Sequence, residues 1–281
     1  VKQARAALAL TGALFGAMPG ALWAQACQAG QKPVFLTFDT GHMGVAPLVA
    51  ELLKKYEAKA TFFLAWEPTL NYGHTLDEQW APWWRARAAE GHDFGSHTWE
   101  HDTWLEDLPP VNGEARFKVR TQAGIEPMRI RELSAEQYCE GLRKPAQRFA
   151  EMTGQAMSPI FRAPAGRSSP ALLAVAKACG FSHVGWSAAG FLGDELPSDK
   201  YPNEQLLARA LRDIRPGDIL MAHLGIWQRQ DAWAPAVLEP LMKGLKEKGM
   251  CFAPLREHPR YVRLMRGVGA GPSDKNATRK P

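Results

Sequence analysis

Seven short apolar runs alternate with six amphipathic segments along this chain, and no other feature constrains its fold as much. The runs cover residues 33–38, 60–65, 92–97, 159–163, 181–186, 218–223 and 250–255. Stretches such as Val34-Phe35-Leu36 and Ile219-Leu220-Met221 are apolar without a break, as in strands buried on both faces. Helical periodicity falls between them, over residues 45–56, 79–90, 134–152, 169–179, 203–214 and 234–248. The punctuation agrees. Ser134 and Gln137 have capping-box spacing, Ser169 precedes Pro170, and Gly91, Gly180 and Gly249 each stand between a helical segment and a strand.

Strands alternating with helices predict a parallel α/β architecture. A doubly wound sheet and a barrel share that pattern. The first strand is not followed by G-x-G-x-x-G, which counts against a dinucleotide site. The chain is 46% hydrophobic and 22% charged, an ordinary globular balance. Its net charge of +5 is not concentrated enough to call for nucleic acid. Residues 102–133 are polar and basic and read as one long inserted loop; residues 267–281 read as a disordered tail.

The N-terminus predicts export. Lys2 and Arg5 precede an apolar run over residues 6–17, too short to span a bilayer, and Ala24-Gln25-Ala26 is a cleavage pattern. Residues 1–26 therefore read as a signal peptide, residues 27–266 as the globular domain, and the product as periplasmic or secreted. Cys27 follows the cleavage point, which also admits a lipid-modified N-terminus. No later segment has the length and apolarity of a membrane span. An exported chain can oxidise its four cysteines, Cys27, Cys139, Cys179 and Cys251. Cys179 ends a helix and Cys251 opens a strand, so these two are expected to meet.

Polar residues collect where the strands end. Asp39 closes the first run, His97 the third, Trp186 the fifth and His223 the sixth; Arg162 lies near the end of the fourth, and His101 follows His97 by four. Strand C-termini share one rim of a parallel barrel, so these residues should converge. On a helical turn, His97 and His101 would face the same way and could hold one metal ion. Asp39 would be costly to bury alone, and Arg162 is the expected partner.

These residues carry a resemblance to the polysaccharide deacetylase family, carbohydrate esterase family 4. Thr37-Phe38-Asp39-Thr40-Gly41 is similar to the family's T-F-D-D-G, and His97-Thr98-Trp99-Glu100-His101 matches H-[ST]-x-x-H. Arg162-Ala163-Pro164-Ala165-Gly166 matches R-x-P-x-[GW], and Met221-Ala222-His223 resembles L-x-H. Of the fourth, Asp/Trp-centred motif, only Trp186 is recognised, without its aspartates. The resemblance implies a distorted (β/α) barrel of about seven parallel strands that removes acetyl groups from an N-acetylated polysaccharide or oligosaccharide. It makes Asp39 the general base, His223 the general acid, and Arg162 the residue that orients Asp39. His97 and His101 would bind a divalent metal, usually zinc. Trp186 and Met221 would line the acetyl pocket, and the Ala165 N–H would face the oxyanion.

One position departs from the pattern: Thr40 stands where the family has a metal-binding aspartate. Thr40 itself or His42 is expected to complete the metal site; the alternative is a carbohydrate-binding relic that has lost its metal. A third reading, a related barrel hydrolase acting on a small amide, fits poorly with export. Tryptophans at 80, 83, 84, 99, 104, 227 and 233 are candidates for stacking on sugar rings, although the helical spacing of Trp80, Trp83 and Trp84 favours core packing.

Overall fold

The computed structural model describes residues 26–229 and 231–265. The leader predicted over residues 1–26 lies, all but Ala26, outside the described residues, as does the tail predicted over 267–281. The chain order is β1 (Lys32–Asp39), α1 (Ala46–Lys55), β2 (Thr61–Leu64), α2 (Ala81–Ala89), β3 (Asp93–Ser96), β4 (Thr103–Val111), β5 (Glu114–Arg120) and β6 (Ile130–Ser134). It continues with α3 (Ala135–Thr153), β7 (Ile160–Phe161), α4 (Pro170–Ala178), β8 (Ser182–His183), α5 (Asn203–Asp213), β9 (Ile219–His223), α6 (Trp233–Ala236), α7 (Leu238–Glu247), β10 (Met250–Phe252) and α8 (Val262–Met265).

All seven expected strands are present and form one parallel sheet in the order β10-β1-β2-β3-β7-β8, with β9 also paired to β1. The sheet curls on itself. Just after β8, the Ser187 and Leu192 N–H groups donate to the Ile219 and Met221 carbonyls of β9, at 3.0 and 3.3 Å. A distorted (β/α) barrel results.

Alternation along the strands sorts the core into two layers. Val34, Leu36, Phe38 and Phe62 point out and pack beneath the helices with Leu52, Trp84, Phe149 and Leu241. Phe35, Phe63, Ile160 and Ile219 point in and fill the barrel. Each large side chain so buried contributes roughly 1.5–3 kcal/mol. Trp84 is fully buried, and Trp80 and Trp83 pack against the same outer layer, which makes this trio structural.

Residues 102–133 are not an irregular loop. They form most of a three-stranded antiparallel sheet, β4-β5-β6. Its signal is the alternation Ala115-Arg116-Phe117-Lys118-Val119-Arg120. Phe117 and Val119 are buried against Tyr138, Leu142 and Leu172 of α3 and α4, and the cations face outward. Asn112 and Gly113, with φ of 51° and 80°, make the two-residue turn between β4 and β5, a strong hairpin pattern. The α3 cap is as expected: Ser134 Oγ accepts from the Gln137 N–H and Gln137 Oε1 from the Ser134 N–H.

The cysteine pairing differs from expectation. Cys27 bonds to Cys251, and Cys139 to Cys179, with Cα separations of 5.6 and 5.8 Å. Cys179 caps α4, which lies beside α3, so the Cys139 thiol is in reach and β10 is not. The Cys27 thiol is engaged in the chain's own disulfide. Among the described residues no helix is long and apolar enough to cross a membrane.

Peptide mapping of the oxidised protein should recover Cys27–Cys251 and Cys139–Cys179 as the only cross-linked pairs. Cys27→Ser should cost on the order of 2–4 kcal/mol in denaturant unfolding; unchanged stability would mean that the bridge does not restrain the unfolded chain.

Candidate active site

The alternation that builds the barrel also aims its polar residues. On β1 the inward parity of Phe35 passes through Thr37 to Asp39; on β9 that of Ile219 passes through Met221 to His223. Asp39 and His223 are register partners, so they stand side by side at the rim. After β7, Arg162 follows Ile160 inward. After β3, His97 follows Gly95, where a Cβ would sit 2.7 Å from the Phe63 ring and 2.9 Å from Ile160.

Arg162 and Asp39 form the centre. Arg162 Nη1 donates to Asp39 Oδ1 at 2.8 Å, with both side chains almost fully buried. The guanidinium packs on Phe63, 4.3 Å from its centroid, and faces Trp186 at 5.6 Å. Its Nε and Nη2 donate to the Val184 and Gly185 carbonyls, both at 3.3 Å. Burial alone would raise the Asp39 pKa; Arg162, His97 and His223 outweigh it and hold the carboxyl below its ordinary range. Without Arg162, the carboxylate would be left buried and unpaired, at a cost of about 3–5 kcal/mol.

His97 Nδ1 lies 2.9 Å from the Arg162 carbonyl and must donate to it, which leaves Nε2 as the lone-pair nitrogen, 3.6 Å from Asp39 Oδ2. Burial lowers its pKa to about 4, so the ring is neutral at pH 7. The His101 ring stands 4.7 Å away and nearly perpendicular, and its Nδ1 is buried with no hydrogen-bond partner. The two histidines do not share a helical turn. Residues 97–101 form a loop in which Thr98 and His101 take φ of 61° and 52°, and this reversal brings the rings together.

Thr40 is buried, and its hydroxyl both accepts and donates within the fold. It accepts the Ala65 N–H at 3.1 Å and donates to Glu67 Oε2, which also accepts the Gly41 N–H at 2.7 Å. The His42 ring lines the cavity beside His223: its Nδ1 accepts the Gly44 N–H, and it meets Trp227 in a T-shaped contact. Glu67 is therefore the acidic group at the departing position. Burial would raise its pKa, but His101, the Gly41 N–H, Thr40 and His97 hold it low. The signal for Glu67 lies in the rim argument itself, since β2 also ends there and Glu67 follows its last residue by three.

His223 is backed by a carboxylate, although no aspartate stands close to Trp186 in the sequence. Asp194 Oδ2 lies 3.1 Å from His223 Nδ1 and accepts the His223 backbone N–H at 2.7 Å. Glu195 Oε2 is 3.8 Å from Nε2. Asp194 comes eight residues after Trp186, beyond the Ala188–Gly190 turn, and the intervening chain folds back along β9. Burial would lower the His223 pKa, but Asp194, Asp39 and Glu195 push it up to about 10. His223 opens on a cavity of ≈ 180 Å³ shared with His42, Asp194, Arg229 and Trp233. Of the tryptophans outside the α2 region, Trp227 is 60% exposed and packs on His42, whereas Trp233 is buried and Trp99 stacks on Trp66. Met221 is buried beneath, Trp186 covers Gly166, and Ala165 holds an exposed turn at φ 54°.

Among the described residues, no three His, Cys, Asp or Glu side chains are already gathered to hold an ion. The donor chemistry nonetheless fits a divalent cation: two adjacent imidazoles, one held in the tautomer that frees Nε2, the other with an orphaned ring nitrogen, beside a carboxylate.

A barrel rim carrying an Arg-held aspartate, a histidine pair and an Asp-backed histidine is the layout of a hydrolase centre. A sequence profile of the polysaccharide deacetylase family matches residues 27–184, and the chain belongs to that family. It is 26% identical over 235 residues to a chitooligosaccharide deacetylase of Azorhizobium caulinodans, covering 80% of this chain and 93% of that one. Its fold is similar to that of a family 4 acetyl xylan esterase from Clostridium thermocellum solved with a cobalt ion, at a TM-score of 0.60 and 22% identity over 85% of this chain and 97% of that one. It is also similar to a family 4 pseudoenzyme from Bacillus anthracis, at a TM-score of 0.56 and 20% identity over 82% and 66%.

Asp194→Asn should bring the His223 titration midpoint down from about 10 by two or more pH units, because burial then meets less opposing charge. Ring-proton NMR of the free protein measures it, and an unmoved midpoint would show that Asp194 does not set the charge of His223.

Proposed function

We propose that this chain is an exported, divalent-metal-dependent hydrolase that removes acetyl groups from an N-acetylated glycan. The observation that carries the reading is the pairing of opposite proton-transfer groups. Asp39 is held ionised by Arg162 and can take a proton; the neighbouring His223 is held protonated by Asp194 and can give one. The relative named a chitooligosaccharide deacetylase supports the substrate class. The two disulfides support an oxidising compartment outside the cytoplasm.

A divalent cation, zinc being the usual one in this family, would be held by His97 and His101 and would supply Lewis acidity toward the acetyl carbonyl and a lowered pKa for water. The chain's own residues do the rest. Asp39 Oδ2, the oxygen not engaged by Arg162, accepts the proton of the attacking water. Arg162, fixed by two carbonyls and two rings, keeps that carboxylate in place. The Ala165 turn offers its backbone N–H to the developing oxyanion. As the C–N bond breaks, His223 Nε2–H protonates the nitrogen, which would otherwise leave as a strongly basic amide anion. Met221 and Trp186 bound the space for the acetyl methyl group.

The competing reading, a glycan-binding relic without catalysis, draws on Thr40 at the family's second aspartate. Activity separates the two. With zinc or cobalt supplied, the protein should release acetate from N-acetylglucosamine oligomers. Asp39→Asn and His223→Ala should each lower kcat by a factor of roughly 10² or more. Binding of the oligomer by a metal-loaded protein that releases no acetate from any N-acetylated glycan would favour the relic.

A further inference from the structure

The side chain of Glu67 answers the substitution at position 40. The carboxylate that the family places on that residue is missing, and a different carboxylate, carried just beyond the neighbouring strand, is hydrogen-bonded to the hydroxyl that replaced it. Its placement is firm. The Glu67 N–H donates to Thr75 Oγ at 3.2 Å, and its carbonyl accepts the Thr75 N–H at 2.9 Å; Thr75 itself is fully buried. Both hydrogen bonds to the carboxylate end on Oε2, so Oε1 is unengaged among the described residues.

Charge balance makes the same point. Asp39 is neutralised by Arg162, and Asp194 by His223. Glu67 makes no ion pair among the described residues, although it lies in the electrostatic reach of His101 and His97. A partly buried carboxylate held only by hydrogen-bond donors, with two imidazoles close by, is a ready partner for a cation. A divalent ion on two neutral histidines alone would conversely lack an anionic ligand.

We infer that Glu67 replaces the missing aspartate as the carboxylate ligand of the metal site, through Oε1, with His97 and His101 as its partners and with neither Thr40 nor His42 in the set. Thr40 then plays a different part, since its hydroxyl fixes Oε2 and so orients the ligand. The greater length of glutamate suits a ligand delivered from a neighbouring strand. This inference rests on the metal-dependent reading above, and binding measurements separate the failure of the two.

The full chain, stripped with a chelator, is titrated with Zn²⁺ by calorimetry and with Co²⁺ by visible absorption. One equivalent is expected for the parent protein. Glu67→Gln keeps the shape and the acceptor for Thr40 and Gly41, and should weaken Zn²⁺ at least 100-fold while changing the cobalt spectrum. Thr40→Asp in the Glu67→Gln background returns a carboxylate from β1 and should recover most of the affinity. If Glu67→Gln, folded by circular dichroism, binds both ions as the parent does, Glu67 is not a ligand and the metal-dependent reading stands. If the parent binds neither ion more tightly than His97→Ala/His101→Ala does, both the ligand and the metal-dependent reading fall. Should Glu67→Gln not fold, Glu67→Asp serves: an unaltered cobalt spectrum and Zn²⁺ affinity in that variant would overturn the assignment.

Discussion

Every other part of the site leans on the buried pair of Arg162 and Asp39. A carboxylate and a guanidinium inside a barrel are both far from water, and neither is tolerable alone. The fold makes the pair tolerable by giving the cation two carbonyls and two aromatic faces. The carbonyl of the same Arg162 sets the tautomer of His97. One residue thus orients both a carboxylate and an imidazole, one through its side chain and the other through its backbone. Its loss would be felt first as instability and only then as chemistry.

Around that pair the electrostatics divide into three carboxylates with three kinds of compensation. Asp39 has a permanent cation, Asp194 a titratable one, and Glu67 hydrogen-bond donors with two imidazoles nearby. The first arrangement keeps an acceptor ionised at low pH. The second keeps a donor loaded at high pH. The third leaves a negative charge with no ion pair among the described residues. Environment, more than residue type, assigns these roles.

Much of this is legible in the sequence. Strand parity and the shared rim place Asp39, His97, Arg162 and His223 together, because alternation along a barrel strand leaves a side chain little choice of direction. What escapes depends on paths between strands. Glu67 sits three residues beyond the regular end of β2, where parity weakens, whereas Thr40 and His42 stand in plain view just after β1. Asp194 lies on an excursion after β8 whose return toward β9 has no local sequence mark. The histidine pair meets as expected but on a different backbone, since a four-residue spacing does not distinguish a helical turn from a loop with two left-handed residues. The β4–β6 sheet is hidden by its charge: in a two-faced sheet half the residues are polar, and Asn112-Gly113 is the clue.

The Cys27–Cys251 bridge carries a directional consequence. Cys251 is in register with Pro33, at the start of β1, whereas Asp39 lies at its end. The bridge therefore nails the entering chain to the floor of the barrel, one full strand length from the rim. Anything joined ahead of residue 26, whether a tether, a partner module or a support in the laboratory, departs from the underside. The rim that carries Asp39 and His223 stays clear of that point of attachment.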